Sequence, residues 1–203
     1  MKKIFCLGFN KTGTTTLHAT AYSAGMRSIH SPIWPSWSRK KEWHRFSEYD
    51  FFCDGECADF RALDKQFPAH FILNTRPLKE WLLSRFNHVE RNREELERGV
   101  DKKWVDHSTP RVKEWIRDRM SYHHSVIEYF SARANFSVLD FSMQSQEEII
   151  EILSHACDRK IKRIRKRRIQ RYDWRYRKKV PEIDFALNEM GLGQVSSFTS
   201  SIL

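Results

Sequence analysis

The chain opens on an unbroken apolar block, Ile4-Phe5-Cys6-Leu7, with lysines before it and Gly8 after it. A short run without polar interruption is what a central parallel strand requires, because helices cover both of its faces. The same signal recurs downstream. Residues 26–30, Tyr49-Asp50-Phe51-Phe52-Cys53, His70-Phe71-Ile72-Leu73-Asn74-Thr75 and Phe136-Ser137-Val138-Leu139-Asp140-Phe141 predict four further strands. Helical stretches lie between them. One runs from Thr14 to about Ala24 and closes at Gly25; another covers 59–67 and stops before Pro68. Pro77 suits the first turn of a helix carrying Trp81, Leu82 and Leu83, which continues charged towards Gly99. Thr109-Pro110 opens a helix with Val112, Trp115, Ile116 and Met120 on one side. Ser145 and Glu148 form a capping box for a helix ending near Cys157, and a short helix follows from Pro181 to Met190.

Strand alternating with helix predicts an α/β fold: three layers, with a five-stranded, mostly parallel sheet flanked by helices. The expected organisation is one domain, with an α/β core at 1–158 and a basic helical C-terminal extension at 159–203. Residues 31–49, rich in Pro and Trp and then charged, break the periodicity. They read as a loop with one helix, either lying over a pocket or capping the core with Trp34, Trp37 and Trp43.

Composition narrows the class. With 40% hydrophobic and 13% aromatic residues, the chain is globular rather than disordered. No apolar run reaches the ~20 residues a membrane-spanning helix needs, so no transmembrane segment is expected. The first strand begins almost at once, without signal-peptide architecture, and a cytoplasmic protein with reduced cysteines is the expectation. Cys53 and Cys57 are a C-x3-C pair with no partner pair, a weak zinc signal; no metal is expected. The formal charge of +10 is concentrated: residues 159–179 hold thirteen Lys/Arg against one Asp, so the rest of the chain is close to neutral.

The candidate chemistry lies just after the first strand. Gly8 and Gly13 bracket a loop, and Thr14, Thr15 and Thr16 open the following helix. Such a loop turns backbone N–H groups and a helix N-terminus onto one anion. The spacing nearly matches the nucleotide-binding pattern G-x-x-x-x-G-K-[ST]. It departs where Thr14 replaces the lysine, and the loop's lysine, Lys11, sits inside it. A lysine after the second glycine serves triphosphates with Mg²⁺. A transferred sulfuryl carries less charge and does not require the metal, and Lys11 can still reach a bridging oxygen.

Phe9-Asn10-Lys11-Thr12-Gly13-Thr14-Thr15 resembles the 5′-phosphosulfate loop of sulfotransferases that use 3′-phosphoadenosine 5′-phosphosulfate (PAPS). The family's second signature is a strand-end arginine with a serine eight residues on, and Arg76 with Ser84 is similar to it. Softer similarity covers roughly residues 3–155. The resemblance implies a P-loop NTPase-like sulfotransferase fold and metal-free, in-line transfer from PAPS to a hydroxyl or amine, leaving 3′,5′-adenosine bisphosphate. It implies that Lys11 stabilises charge on the leaving oxygen and that Thr12, Gly13, Thr14, Thr15 and Thr16 wrap the phosphosulfate. Arg76 and Ser84 would hold the 3′-phosphate.

Two residues compete for the acceptor's proton. Asp54 ends the third predicted strand, 22 positions before Arg76, about where relatives carry a histidine base; His30 ends the second strand. Asp54 needs burial to become a useful base, whereas histidine needs no tuning. The first loop, His30, Asp54 and Arg76 all fall at predicted strand ends, the rim where open α/β sheets bind ligands. The expected acceptor is a small molecule or a glycan, with 31–49 and 85–125 as the expected lids of its site. The basic segment 159–179 suits completion of the 3′-phosphate site, a polyanion, RNA or an anionic membrane surface; a solvated helix face is the bland alternative. A P-loop small-molecule or nucleotide kinase is the competing enzyme class, disfavoured by Thr14. A basic nucleic-acid-binding module leaves the loop unexplained.

Overall fold

The computed structural model describes residues 2–91, 106, 108–165, 180–193 and 202. The chain divides into two compact units, Met1–Thr75 with Tyr122–Ile169, and Arg76–Ser121 with Gln170–Leu203.

The first unit is built on five parallel strands. They are β1 (Lys3–Cys6), β2 (Ser28–His30), β3 (Phe51–Cys53), β4 (Ala69–Thr75) and β5 (Phe136–Asp140), in the order β2-β3-β1-β4-β5. All pairings are parallel, so the sheet is more uniform than the expected mostly parallel one. Strand β1 is central, flanked by β3 and β4, which is why its four residues are almost wholly apolar.

Alternation along the strands sorts their side chains into two cores. Ile4, Cys6, Phe51, Cys53, Ile72 and Leu139 face one side. There they meet Leu17 and Ala21 of α1 (Thr14–Ser23) and Ile149, Leu153 and Ala156 of the later helix Gln146–Cys157. Phe5, Leu7, Phe52, Phe71 and Leu73 face the other side. There they meet Trp34 and Trp37 of α2 (Trp34–Arg39), Phe46 of the 3₁₀ turn Trp43–Glu48, and Phe60 and Leu63 of α3 (Phe60–Gln66). Phe5 stacks on Phe52 and Phe71, with centroids 4.8 and 5.5 Å away. Burying each such ring contributes on the order of 2–3 kcal/mol.

Residues 31–49 therefore hold one α-helix and one 3₁₀ turn. Trp34 and Trp37 take the core-capping role: both are buried, and Trp34 Nε1 donates to the Cys53 carbonyl at 2.6 Å. Lys3 Nζ ties the 3₁₀ turn to β1 by donating to the carbonyls of Phe46 and Tyr49.

Helix α1 ends as its glycine predicts. Gly25, at φ 78°, donates to Tyr22 O, and Met26 N donates to Ala21 O, which together close a Schellman motif. Ser145 and Glu148 make both halves of the expected capping box. Beyond that helix, Ile161 and Ile164 return to the core and residues 160–165 form no helix, so the extension is not helical where it begins. Residues 166–179 lie outside the described residues.

The second unit contains α4 (Leu78–Arg91), the first part of α5 (Thr109–Phe130) and, after α6 (Gln146–Cys157) of the first unit, α7 (Val180–Glu189). Lys79 pairs with Asp184 at 2.6 Å, and Lys113 pairs with Glu189. Inside, the buried Arg85 lies over the rings of Trp81 and Trp115, and the buried Arg119 lies over Trp81. The expected continuation of α4 towards Gly99 is outside the described residues. No described helix is long and apolar enough to cross a membrane.

Candidate active site

The sheet order places the topological switch at β1 and β4: the chain leaves β1 towards β2 and leaves β4 towards β5. Ligands of open α/β sheets bind at such a switch, outside the carboxyl ends of the strands. The loop 8–13 stands there.

Its shape is held by one side chain that the loop does not contain. Asn74, fully buried near the end of β4, accepts from Gly8 N through Oδ1 at 3.0 Å. It donates to Thr12 Oγ1 through Nδ2 at 2.6 Å. Thr12 in turn donates to Phe9 O at 2.5 Å. The hydroxyl of Thr12 thus braces the loop from inside. Gly8 is obligatory for the close approach, since a Cβ there would lie 1.8 Å from the Asn74 carbonyl oxygen. Lys11 adopts φ 68°, a conformation that costs a non-glycine residue about 1–2 kcal/mol. Gly13 lies at φ 92°, with the ring of Phe141 so near that a Cβ would fall 2.4 Å from it.

Gly13 is also the N-cap of α1, accepting from Thr16 N and Leu17 N. No side chain caps this end, and no acidic residue sits in the first turn. The leading N–H groups of an α-helix have no intrahelical partner, and the helix dipole adds partial positive charge. Loop amides, the start of α1 and Lys11 form a donor set suited to an anion. Thr15 is exposed and Thr16 half-buried, whereas Thr14 is buried.

Thr14 points at the second part of the site. Its Oγ1 lies 3.0 Å from His30 Nε2, and the same nitrogen lies 3.0 Å from Asp54 Oδ2. Sheet register brings the pair together. Strands β2 and β3 match His30 with Cys53, so Asp54, the next residue, emerges beside the imidazole. Asp54 takes φ 67°, and Gly55 N donates to Cys6 O, folding this turn over the end of β1. A Cβ on Gly55 would sit 2.2 Å from that carbonyl oxygen, so only glycine allows the fold-over. The two candidate bases are one hydrogen-bonded unit.

Their environments differ. The Asp54 side chain is 14% exposed and its Oδ1 is shut off from solvent, while the His30 side chain is 30% exposed. Burial works to raise the Asp54 pKa. The His30 ring, the Thr14 hydroxyl and the Lys11 charge outweigh it and hold the carboxyl below its ordinary value. Asp54 is an ionised, hydrogen-bonded partner. With Nε2–H donated to Asp54, the acceptor nitrogen of a neutral His30 is Nδ1, which no described residue bonds.

A family model for a sulfotransferase domain matches residues 3–183. The chain belongs to the sulfotransferase-domain family. Sulfuryl transfer is therefore its class of activity, and the matched span takes in the whole sheet and the loop. Neither a search of curated proteins nor a search of solved structures found a match.

In this sulfotransferase domain the remaining sequence candidates stand in the second unit. Arg76 directly follows the last residue of β4, and Ser84 lies within α4; both are half-buried. Arg76 is 3.5 Å from Glu80 Oε2, and its carbonyl accepts from Arg119 at 2.6 Å. Asp140, the acid at the end of β5, accepts through Oδ1 from the backbone and hydroxyl of Ser142. Among the described residues no cluster of His, Cys, Asp and Glu has metal-binding form. Sequence reasoning missed Asn74 and Phe141. An asparagine directly after the apolar run Phe71-Ile72-Leu73 was the available sign of the first, because a buried amide needs partners; nothing local marked Phe141.

Proposed function

We propose that this sulfotransferase takes its sulfuryl group from PAPS and passes it to a hydroxyl of a small-molecule acceptor, releasing 3′,5′-adenosine bisphosphate. The observation that carries this is the juxtaposition of Thr14 with the His30–Asp54 pair, which sets an anion-binding loop against a proton acceptor.

PAPS, when bound, supplies a sulfuryl on a phosphate leaving group. The start of α1 fits the 5′-phosphosulfate, since no side chain caps it and no acidic residue sits in its first turn; in the loop, Asn10 N donates to Glu56 Oε2 at 3.4 Å, a long bond that a bound anion would replace. Lys11 neutralises charge that gathers on the bridging oxygen as its bond to sulfur breaks. Arg76 and Ser84 take the 3′-phosphate, a role that rests on the motif they form. As the acceptor oxygen bonds to sulfur, its proton passes to His30 Nδ1, and the bridging electron pair leaves with the bisphosphate. Asp54 accepts Nε2–H, holds the tautomer that leaves Nδ1 basic, and offsets the imidazolium charge. Asp54 is a positioning residue, because its inner oxygen is closed to solvent. Thr14 couples the pair to the loop.

Incubation with radiolabelled PAPS and a hydroxyl-compound pool in EDTA tests this directly. Label should move to acceptor, and His30→Gln should slow the transfer by about 10²–10⁴. Label that stays on the nucleotide with every acceptor, or that moves equally fast with His30→Gln, refutes the scheme.

A further inference from the structure

Helix α1 carries a second feature on its outer face. An open groove of about 760 Å³ is lined by His18, Ala19, Tyr22, Ser23, Arg163, Ile164 and Arg165. That volume suits a small organic ligand. Its lining residue His18 is the neighbour of the candidate base. The rings of His30 and His18 lie 5.8 Å apart, and those of His18 and Tyr22 lie 6.4 Å apart, so three rings form a row from the base into the groove. Tyr22 ends that row with 71% of its surface exposed.

The opposite wall is fixed in place and strongly basic. Ile161 and Ile164 are buried, Ile161 N donates to Ser154 Oγ, and Arg165 N donates to Thr20 Oγ1 of α1, each at 3.0 Å. Five of the seven residues from 159 to 165 are Lys or Arg, and none is acidic. Arg163 and Arg165 are exposed and make no ion pair with a described residue. Among the described residues no carboxylate lines the groove, and α1 carries no Lys, Arg, Asp or Glu. Flat aromatic surface beside two guanidinium forks, open on the side of a proton acceptor, selects a ring that bears an anionic group.

We infer that this groove is the acceptor subsite, and that the acceptor is a small hydroxylated ring compound carrying a carboxylate, phosphate or sulfate. The ring lies between His18 and Tyr22, the anionic group pairs with Arg163 and Arg165, and the hydroxyl points towards His30. This rests on the sulfuryl-transfer mechanism above, but its test does not.

Three phenols with one ring in common serve as probes: para-hydroxyphenylacetate, neutral tyrosol and cationic tyramine. Each is titrated into the full-length protein without donor, followed by NMR. The anion should bind about tenfold more tightly than tyrosol, with tyramine weakest. The R163A/R165A double variant should lose that order while keeping its affinity for 3′,5′-adenosine bisphosphate. The R163E/R165E variant should reverse the order, and Tyr22→Ala should weaken all three probes alike. Equal binding of the three probes, or an order that survives R163A/R165A, overturns the assignment. A double variant that loses the bisphosphate and keeps the phenol order also overturns it, because the arginines would then serve the donor. Since no donor is present, the outcome is independent of whether PAPS is used.

Discussion

His30 Nε2 lies 3.0 Å from Asp54 Oδ2, although 24 positions separate the two residues in the chain. The pair predicts an asymmetric loss. His30→Gln should cost about 10²–10⁴ in kcat, the usual worth of a proton acceptor. Asp54→Asn should cost about tenfold to a hundredfold, because the ring loses its orienting carboxylate but keeps Nδ1. Both should leave the affinity for 3′,5′-adenosine bisphosphate nearly unchanged. Single-turnover transfer and calorimetry check this; a larger loss in Asp54→Asn than in His30→Gln would make the carboxylate the base.

Asn74 should matter to the loop more than any loop residue's own hydroxyl. Asn74→Ala leaves Gly8 N and Thr12 Oγ1 without their buried partner. Such deletions cost about 1–3 kcal/mol. A lowered melting temperature together with weaker nucleotide binding is expected. Unchanged nucleotide affinity would mean that the loop keeps its shape unaided.

Gly13→Ala faces both a left-handed backbone and the Phe141 ring. A loss of about 1–3 kcal/mol is expected from denaturant unfolding. Combining it with Phe141→Ala should recover the steric share and not the backbone share. Strict additivity in that double-mutant cycle would show that ring and loop do not meet.

Acid stability should reflect a histidine unrelated to catalysis. His70 is buried in β4, its Nε2 is 2.9 Å from Ser137 Oγ, and burial brings its pKa down to about 4. The unfolded chain binds this proton near pH 6.5, the folded protein only near 4. Stability is therefore full above about 6.5 and falls as the pH drops towards 4. The loss is roughly 1–3 kcal/mol after allowance for solvent screening. Asp50, held low by its bidentate bond to Arg27, adds a further loss as the pH falls through the carboxylate range. A His70→Asn variant should show a flatter unfolding profile between pH 7 and 4; an equal slope would place His70 protonated in the folded state.

Local pattern made much of this fold legible. The apolar run of β1, the glycine closing α1 and the Ser145–Glu148 box each act within a few residues, and all appear where the sequence predicts them. What depended on register was hidden. His30 and Asp54 read as rivals because only the pairing of β2 with β3 makes them neighbours. Trp34 read equally well as a lid or a core residue, since nothing near it in sequence reveals that its indole N–H is used by Cys53 O. The basic stretch read as helix because charge carries no period; Ile161 and Ile164, three apart, suit a helical turn as well as they suit the anchored, non-helical segment that is found.

Calorimetric titration of the full-length protein with 3′,5′-adenosine bisphosphate in EDTA, beside ATP with Mg²⁺, bears most directly on a phosphosulfate-binding loop. Tight, metal-independent binding of the bisphosphate is expected, with Arg76→Ala weakening it far more than it weakens adenosine 5′-phosphosulfate. Binding of ATP with Mg²⁺ alone, and none of the bisphosphate, would contradict a donor site built for PAPS.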